Sequence, residues 1–199
     1  MSKILHIISS PRGEASNSIK LAEAIIERLQ LNYPSAALHT KDLTKAPFPH
    51  LEEVHLNAFL TPVEQHNEEH REAIRHSNLA IEELMNSDFI VIGAPMYNFG
   101  ISSTLKAWFD HIARAGITFK YTQQGPVGLL TGKKVFLAIT TGGIYSSGEG
   151  IANDFLTPYL KFMLAFIGMN DITVCRAEGF AIAEIRDNAL EKAIGKIQI

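Results

Sequence analysis

Three short segments concentrate residues able to hold a ligand: Ser9-Ser10-Pro11-Arg12-Gly13-Glu14-Ala15-Ser16-Asn17-Ser18, Pro95-Met96-Tyr97-Asn98-Phe99-Gly100 and Thr140-Thr141-Gly142-Gly143-Ile144-Tyr145. The first is rich in hydroxyls and runs into a helical pattern. Free N–H groups and the dipole at a helix N-terminus favour an anion, phosphate above all. Ser16 and Ser18 can donate as well, and Arg12 adds charge; ordinary capping by Ser16, Asn17 or Ser18 is the alternative. The second segment carries Met96, Tyr97 and Phe99 among turn residues, although loops are usually polar and apolar side chains usually go to the core. In the third, Gly142-Gly143 lets backbone approach a ligand closely, with a plain turn as the alternative. Together they offer an anion seat, an apolar platform and polar backbone edges.

Other motifs carry less. No G-x-G-x-x-G follows the first apolar run and no G-x-x-x-x-G-K-[ST] occurs, which counts against the common dinucleotide and P-loop sites. Gly128 to Lys134 (GLLTGKK) is a near miss that precedes a strand, and is taken as a turn. His66-Asn67-Glu68-Glu69-His70 matches H-x-x-E-H. It sits in a charged stretch without a third ligand, so a solvated helix face is expected and no metal. Cys175 is expected as a small core residue, and His111 and Arg114 as a polar helix surface.

These segments need a scaffold that brings strand ends together. Ile4 to Ile8, Ala36 to Leu43, Phe89 to Ala94, Val135 to Thr141 and Ile172 to Cys175 have strand character. Apolar residues at helical spacing mark helices at about 18–31, 64–86, 105–115, 155–166 and 188–197. Alternation of strand and helix implies a doubly wound parallel sheet of five strands with helices on both faces. FIVIGAP and VFLAITT, nearly continuously apolar, are the central strands. In such a sheet, ligands bind beyond the carboxyl ends of the strands, where all three segments fall. Residues 1–199 then form a single domain with an insertion at about 45–86, whose Pro47, Pro49 and Pro62 open it as an irregular excursion.

The bulk numbers agree with one well-buried domain. Of 199 residues, 46% are hydrophobic and 20% charged, so the chain is globular. A net charge of -3 gives no basic field for nucleic acid, and no apolar run is long enough to span a bilayer. One cysteine excludes an internal disulfide framework. Met1-Ser2-Lys3 followed by an apolar run lacks a signal-peptide layout, and a cytoplasmic location is expected.

Phosphate seat, platform and polar edges suit a flavin mononucleotide: phosphate, ribityl chain, flat heterocycle. The chain also resembles the flavodoxin-like, FMN-dependent NADH-azoreductases, also described as NAD(P)H:quinone reductases. The tokens are APMYNFGISSTLKAWFDHIARAGITFKYTQQGPVGLLTGKK (Ala94 to Lys134), SSPRGEASNS, TTGGIYSSG and TPYLKFMLAFIG, and the match covers nearly the whole chain. The resemblance implies FMN held by Ser10, Ser16, Asn17, Ser18, Met96, Tyr97, Asn98, Phe99, Thr140, Thr141, Gly142 and Gly143. It implies Phe119, Tyr121, Phe162 and Met163 as substrate-pocket residues, with core or dimer packing as the alternative. Family members often carry a basic residue at Thr141 and His at Tyr145.

The activity implied is NADH-driven reduction of quinones and reductive cleavage of aromatic azo compounds to amines, by a ping-pong cycle. Azo cleavage takes two rounds. No side chain is expected to be catalytic, since the flavin carries the chemistry. A homodimer with its site at the subunit boundary is implied as well. The rival from another class is a flavodoxin-type electron carrier, which would not oxidise NADH unaided.

Overall fold

Runs of Ile, Val, Leu and Phe pair as strands in the computed structural model, which describes residues 2–199. In chain order the first elements are β1 (Lys3–Ile8), α1 (Asn17–Asn32), β2 (Ala37–Asp42), α2 (Glu53–Leu60), α3 (Glu68–Ala73), α4 (Arg75–Met85) and β3 (Phe89–Pro95). Then follow α5 (Ser103–Ile112), β4 (Phe119–Thr122), β5 (Gly125–Gly128), β6 (Lys134–Thr141), α6 (Leu156–Phe166), β7 (Asp171–Glu178) and α7 (Arg186–Gly195). Five strands form one parallel sheet in the order β2-β1-β3-β6-β7, and β4-β5 is a separate antiparallel hairpin. The expected doubly wound, five-stranded α/β fold is present.

Strand alternation divides the core in two. On β3, Ile90, Ile92 and Ala94 face one cluster and Phe89 and Val91 the other. On β6, Val135, Leu137 and Ile139 oppose Phe136 and Ala138 in the same way. The first cluster packs under α4, α5 and α6, the second under α1 and α7. Burial on both faces is why the central strands carry no polar alternation. All five strands run the same way, with Ile8 beside Asp42 and Gly93, Gly93 beside Ala138, and Thr141 beside Glu178. Their carboxyl ends therefore share one edge.

Gly93 sets how closely the first helix approaches that edge. A Cβ there would lie 3.3 Å from the Ser18 carbonyl oxygen. Without it, the first turn of α1 rests directly on β3.

The connection from β2 to β3 differs from the expected single long helix over 64–86. A turn of 3-10 helix at Val63–Gln65, α3 and α4 replace it, and α2 lies within the stretch expected to be irregular. Asn67 explains the restart: its Oδ1 accepts the His70 N–H at 2.8 Å, capping a new helix. Ile74 then leaves helical geometry, with φ -93° and ψ 2°, between α3 and α4. Other differences are smaller. Helix α5 ends at Ile112, where the Thr118 hydroxyl donates to the Ile112 carbonyl at 2.6 Å. Strand β7 runs three residues past Cys175, pairing Arg176, Ala177 and Glu178 with Ile139, Thr140 and Thr141. The β4-β5 hairpin went unseen in a stretch broken by Gln123, Gln124 and Gly125. Gly125 takes φ +113° there, and a Cβ on Gly128 would fall 2.0 Å from the Gly168 nitrogen. That close approach seats the hairpin on the end of α6.

Candidate active site: a cleft at the strand ends

A cleft opens at the carboxyl edge of the sheet. The first segment contributes Ser10, Arg12, Ser16 and Asn17, the second Pro95, Met96 and Tyr97, and the third Thr140, Thr141 and Gly142. All three strand-end segments thus converge, as the topology requires.

The floor is polar and buried. Ser10, Ser16, Ser18, Thr140 and Thr141 are each at least nine-tenths buried. Ser16 and Ser18 hydroxyls lie 3.0 Å apart. Ser16 holds the N-cap position of α1, yet its side chain makes no capping hydrogen bond. The N-terminus of a 16-residue helix is left open beside buried hydroxyls, with Arg12 the one cation lining the cleft among the described residues. The capping alternative therefore fails for Ser16, and an anion seat remains.

The wall from β3 is strained. Tyr97 and Gly100 exchange N–H to carbonyl hydrogen bonds at 3.0 Å in both directions. Between them Asn98 and Phe99 both take positive φ, 48° and 68°, the pattern of a type I′ turn. Asn tolerates that conformation; a bulky Phe does not, and such strain persists where surrounding structure or function demands it. The turn leaves Phe99 about half exposed, with its ring edge-to-face on Tyr145, centroids 6.3 Å apart. Tyr97 Oη is buried without a hydrogen-bond partner.

Opposite lies the turn after β6. Its first three carbonyls are engaged: Gly179 N–H donates to the Thr141 and Gly143 oxygens, and Ala181 N–H to the Gly142 oxygen at 2.9 Å. The Thr141 hydroxyl donates to Gly143 O at 2.8 Å. Among the described residues, no loop hydrogen bond uses the N–H groups of Gly142 and Gly143. They are spare donors.

Phe180 and Ala181 also line the cleft, and the sequence reading missed them. With the last strand ended at Cys175, its following segment was out of view. Carried to Glu178, the same rule would have named Gly179-Phe180-Ala181 as a fourth strand-end segment.

Comparison with known proteins decides the family. A family model described as flavodoxin-like fold matches residues 2–198. An FMN-dependent NADH:quinone oxidoreductase of Herminiimonas arsenicoxydans is 47% identical over 99% of this chain and 97% of its own length. The chain belongs to the flavodoxin-like family that includes these oxidoreductases. An FMN-dependent NADH:quinone oxidoreductase 3 of Pseudomonas aeruginosa is 43% identical over 97% of this chain and 90% of its own. Among solved structures, an azoreductase from Bacillus anthracis superposes with a TM-score of 0.91 at 27% identity, covering 98% of this chain and 96% of that one. An FMN-dependent NADH-azoreductase from the same species, in complex with FMN, gives 0.86 at 27% identity, covering 98% and 97%.

Not every residue that the family resemblance named lies in the cleft of this family member. Ser18 sits behind Ser16, and Asn98, Phe99 and Gly143 form the rim beyond the residues lining it. Phe119, Tyr121, Phe162 and Met163 do not line it. Phe119 is buried, with Tyr121 at 5.5 Å and Phe166 at 4.4 Å between centroids, and Phe162 stacks on Phe166 at 6.2 Å. Tyr121 and Phe162 are largely exposed; Met163 is half-buried against the first core cluster. Tyr121, Phe119, Phe166 and Phe162 form an aromatic chain from the hairpin to α6, outside the cleft of a single chain.

Three polar residues taken as surface are buried. His66 is 6% exposed, and its Nε2 lies 3.0 Å from the carbonyls of Ala58 and Thr61 at the end of α2. It precedes α3 instead of lying on a helix face. His111 is fully buried, with Nε2 at 3.0 Å from Pro49 O and its ring against Phe48 and His55. Burial lowers its pKa, partly offset by the Pro49 carbonyl. Arg114 is 5% exposed, donates to Ser77 Oγ at 3.1 Å and Asn78 Oδ1 at 2.6 Å, and lies over the Phe59 ring. All three hold the segment between β2 and β3 in place. Among the described residues no cluster of His, Cys, Asp or Glu could hold a metal ion.

Proposed function

We propose that this chain is an FMN-dependent oxidoreductase that uses NADH to reduce quinones and reductively cleaves aromatic azo compounds. The carrying observation is the cleft's unused hydrogen-bonding capacity: an uncapped α1 N-terminus, a buried Tyr97 hydroxyl without partner, and free Gly142 and Gly143 amides. A phosphate-bearing, polar-edged, flat group fits that set. In this reading Ser10, Ser16, Asn17 and Ser18 with the α1 N-terminus hold the phosphate, and Arg12 adds charge. Met96, Tyr97, Asn98 and Phe99 flank the ring. Thr140, Thr141, Gly142 and Gly143 meet its polar edge, the free Gly142 and Gly143 amides stabilising negative charge as it develops. Phe180 and Ala181 close the wall behind them. Bound there, FMN would supply the two-electron chemistry that links NADH to a quinone or azo acceptor, in the alternate, ping-pong turns that the resemblance implies.

The exposed aromatic chain of Tyr121 and Phe162 supports a homodimer in which Phe119, Tyr121, Phe162 and Met163 of one copy complete the substrate site of the other. Residues 1–199 act as one domain with an insertion at about 45–86. Since α4 gives Ala80, Ile81 and Leu84 to the sheet core, the added part is best placed before it. No described helix is long and apolar enough to cross a membrane. The unpaired, buried Cys175 fits a reducing, cytoplasmic setting.

An anaerobic visible spectrum tests the reading. Protein loaded with FMN should bleach on NADH alone and recover colour when a quinone is added. A flavin band that ignores NADH and NADPH would leave an electron carrier instead.

A further inference from the structure

The turn after β6 is held from outside by one carboxylate that the site itself does not use. Glu178, the last residue of β7, accepts the Tyr145 N–H at 2.8 Å through Oε1 and the Ser146 hydroxyl through Oε2. Its side chain is only 10% exposed, so this charge is committed to these partners. Arg176 supplies the countercharge, at 3.5 Å from Glu178 Oε1, and also reaches Asp154 Oδ2 at 2.5 Å and the Thr157 hydroxyl. Asp154 Oδ1 in turn accepts the N–H groups of Leu156 and Thr157, at 3.1 and 2.9 Å, in the first turn of α6. Burial pushes the Asp154 carboxyl pKa up, but hydrogen bonds from Thr157 and Arg176 and the Arg176 charge outweigh it and hold it below the usual value. A continuous polar chain thus runs from α6 through Arg176 and Glu178 to the backbone of Tyr145.

What that backbone carries is specific. The Tyr145 ring packs over Gly143, where an added Cβ would lie 3.2 Å from its Cε2 and 3.5 Å from its hydroxyl. The same ring meets Phe99 from the opposite loop. Tyr145 therefore bridges the two sides of the cleft at its rim, directly beside the spare amides of Gly142 and Gly143.

We propose that Glu178 is a positioning residue for the ring end of the cleft. Acting through Tyr145 N–H and the Ser146 hydroxyl, it fixes the turn so that the Gly142 and Gly143 amides face the flavin's polar edge and Tyr145 closes the rim against Phe99. The proposal rests on the FMN reading above. It makes hydrogen bonding, and not the charge of Glu178, the operative property, because the two turn groups that Glu178 holds are a neutral N–H and a neutral hydroxyl, while Arg176 keeps Asp154 as a closer carboxylate partner.

Titration of apo-protein with FMN, followed by flavin fluorescence, tests it alongside thermal melting of the same apo-proteins. Glu178→Ala should weaken FMN about tenfold. Glu178→Gln can accept from Tyr145 and donate to Ser146, and should stay within about threefold of the parent. A merely structural role would lower the melting temperature of Glu178→Ala while leaving FMN affinity of the folded fraction unchanged, and that result overturns the proposal. So does equal weakening in both variants, which would make charge the operative property. Failure of the parent protein itself to bind FMN would instead sink the flavin reading on which the proposal stands.

Discussion

Two regions of this molecule bury polar side chains, and they do so to opposite ends. Beneath the segment between β2 and β3, His66, His111 and Arg114 spend hydrogen bonds on carbonyls and side chains of the chain itself. At the strand ends, Ser16 caps nothing, Tyr97 Oη has no partner and the Gly142 and Gly143 amides stay free. A buried polar group without a partner costs roughly 1–3 kcal/mol. The first region discharges most of that cost internally, with His111 Nδ1 and His70 Nδ1 left over; the second leaves its unmatched groups gathered around one cleft, for a ligand to relieve. Residue type does not separate the two, since both use Ser, Arg and aromatic rings. The separating feature is where the unmatched groups sit: at the strand ends they converge on one cleft, and elsewhere they are scattered.

That contrast can be broken experimentally, and the largest effect belongs to the matched region. Phe48 is buried against His111 and His76. Phe48→Ala should cost about 3 kcal/mol of stability through lost burial and a cavity, measured by urea unfolding with Trp108 fluorescence. FMN affinity of the folded variant should change less than twofold; a large loss would mean the two regions are coupled.

Next comes a pH effect from the sheet that carries both regions. His6, 3% exposed on β1, has its pKa pushed down by burial to about 4 from 6.5, with Asp42 pulling slightly the other way. Its folded pKa lies below its unfolded one, so the unfolded chain takes the proton first. Stability is then full above pH 6.5 and falls as pH drops towards 4, by at most about 3 kcal/mol. Unfolding curves between pH 7.5 and 4.5 should show this slope, and His6→Gln should remove its share of it.

The open region answers differently. Ser16→Ala should weaken FMN about tenfold, close to 1.4 kcal/mol. The melting temperature of the apo-protein should hardly move, because the hydroxyl caps no helix N–H. A drop in stability as large as the drop in affinity would return Ser16 to ordinary structural duty. The smallest effect is Tyr97→Phe. Removing an unpartnered buried hydroxyl should leave the apo-protein as stable or slightly more so, while weakening FMN a few-fold. Unchanged affinity, read in the same fluorescence titration, would remove Tyr97 Oη from the site.

Much of this was legible in the sequence because two patterns are strong. FIVIGAP and VFLAITT can only be strands buried on both faces, and parallel order then sends every following segment to one edge. That order alone brings Ser10, Ser16, Met96, Tyr97, Thr140 and Thr141 together. Burial of charged residues was not legible. His111 and Arg114 looked like a helix surface because the segment that covers them, residues 45–62, carries no periodic pattern until α2 is docked. Phe180 was missed because β7 ends in Arg176-Ala177-Glu178, where two charged residues that anchor Tyr145 flank one small core residue and break the apolar pattern of the strand. The strain at Phe99 leaves no mark in the sequence beyond an aromatic residue where Gly is usual.

The central claim is that the unmatched groups at the strand ends exist for a flavin mononucleotide through which NADH acts. Anaerobic titration of the FMN-loaded protein with NADH, watched by visible absorbance, tests it most directly. The account predicts a flavin band that bleaches stoichiometrically with NADH alone and returns on addition of a quinone. A protein that takes up no FMN, or whose bound flavin NADH leaves untouched, would contradict it.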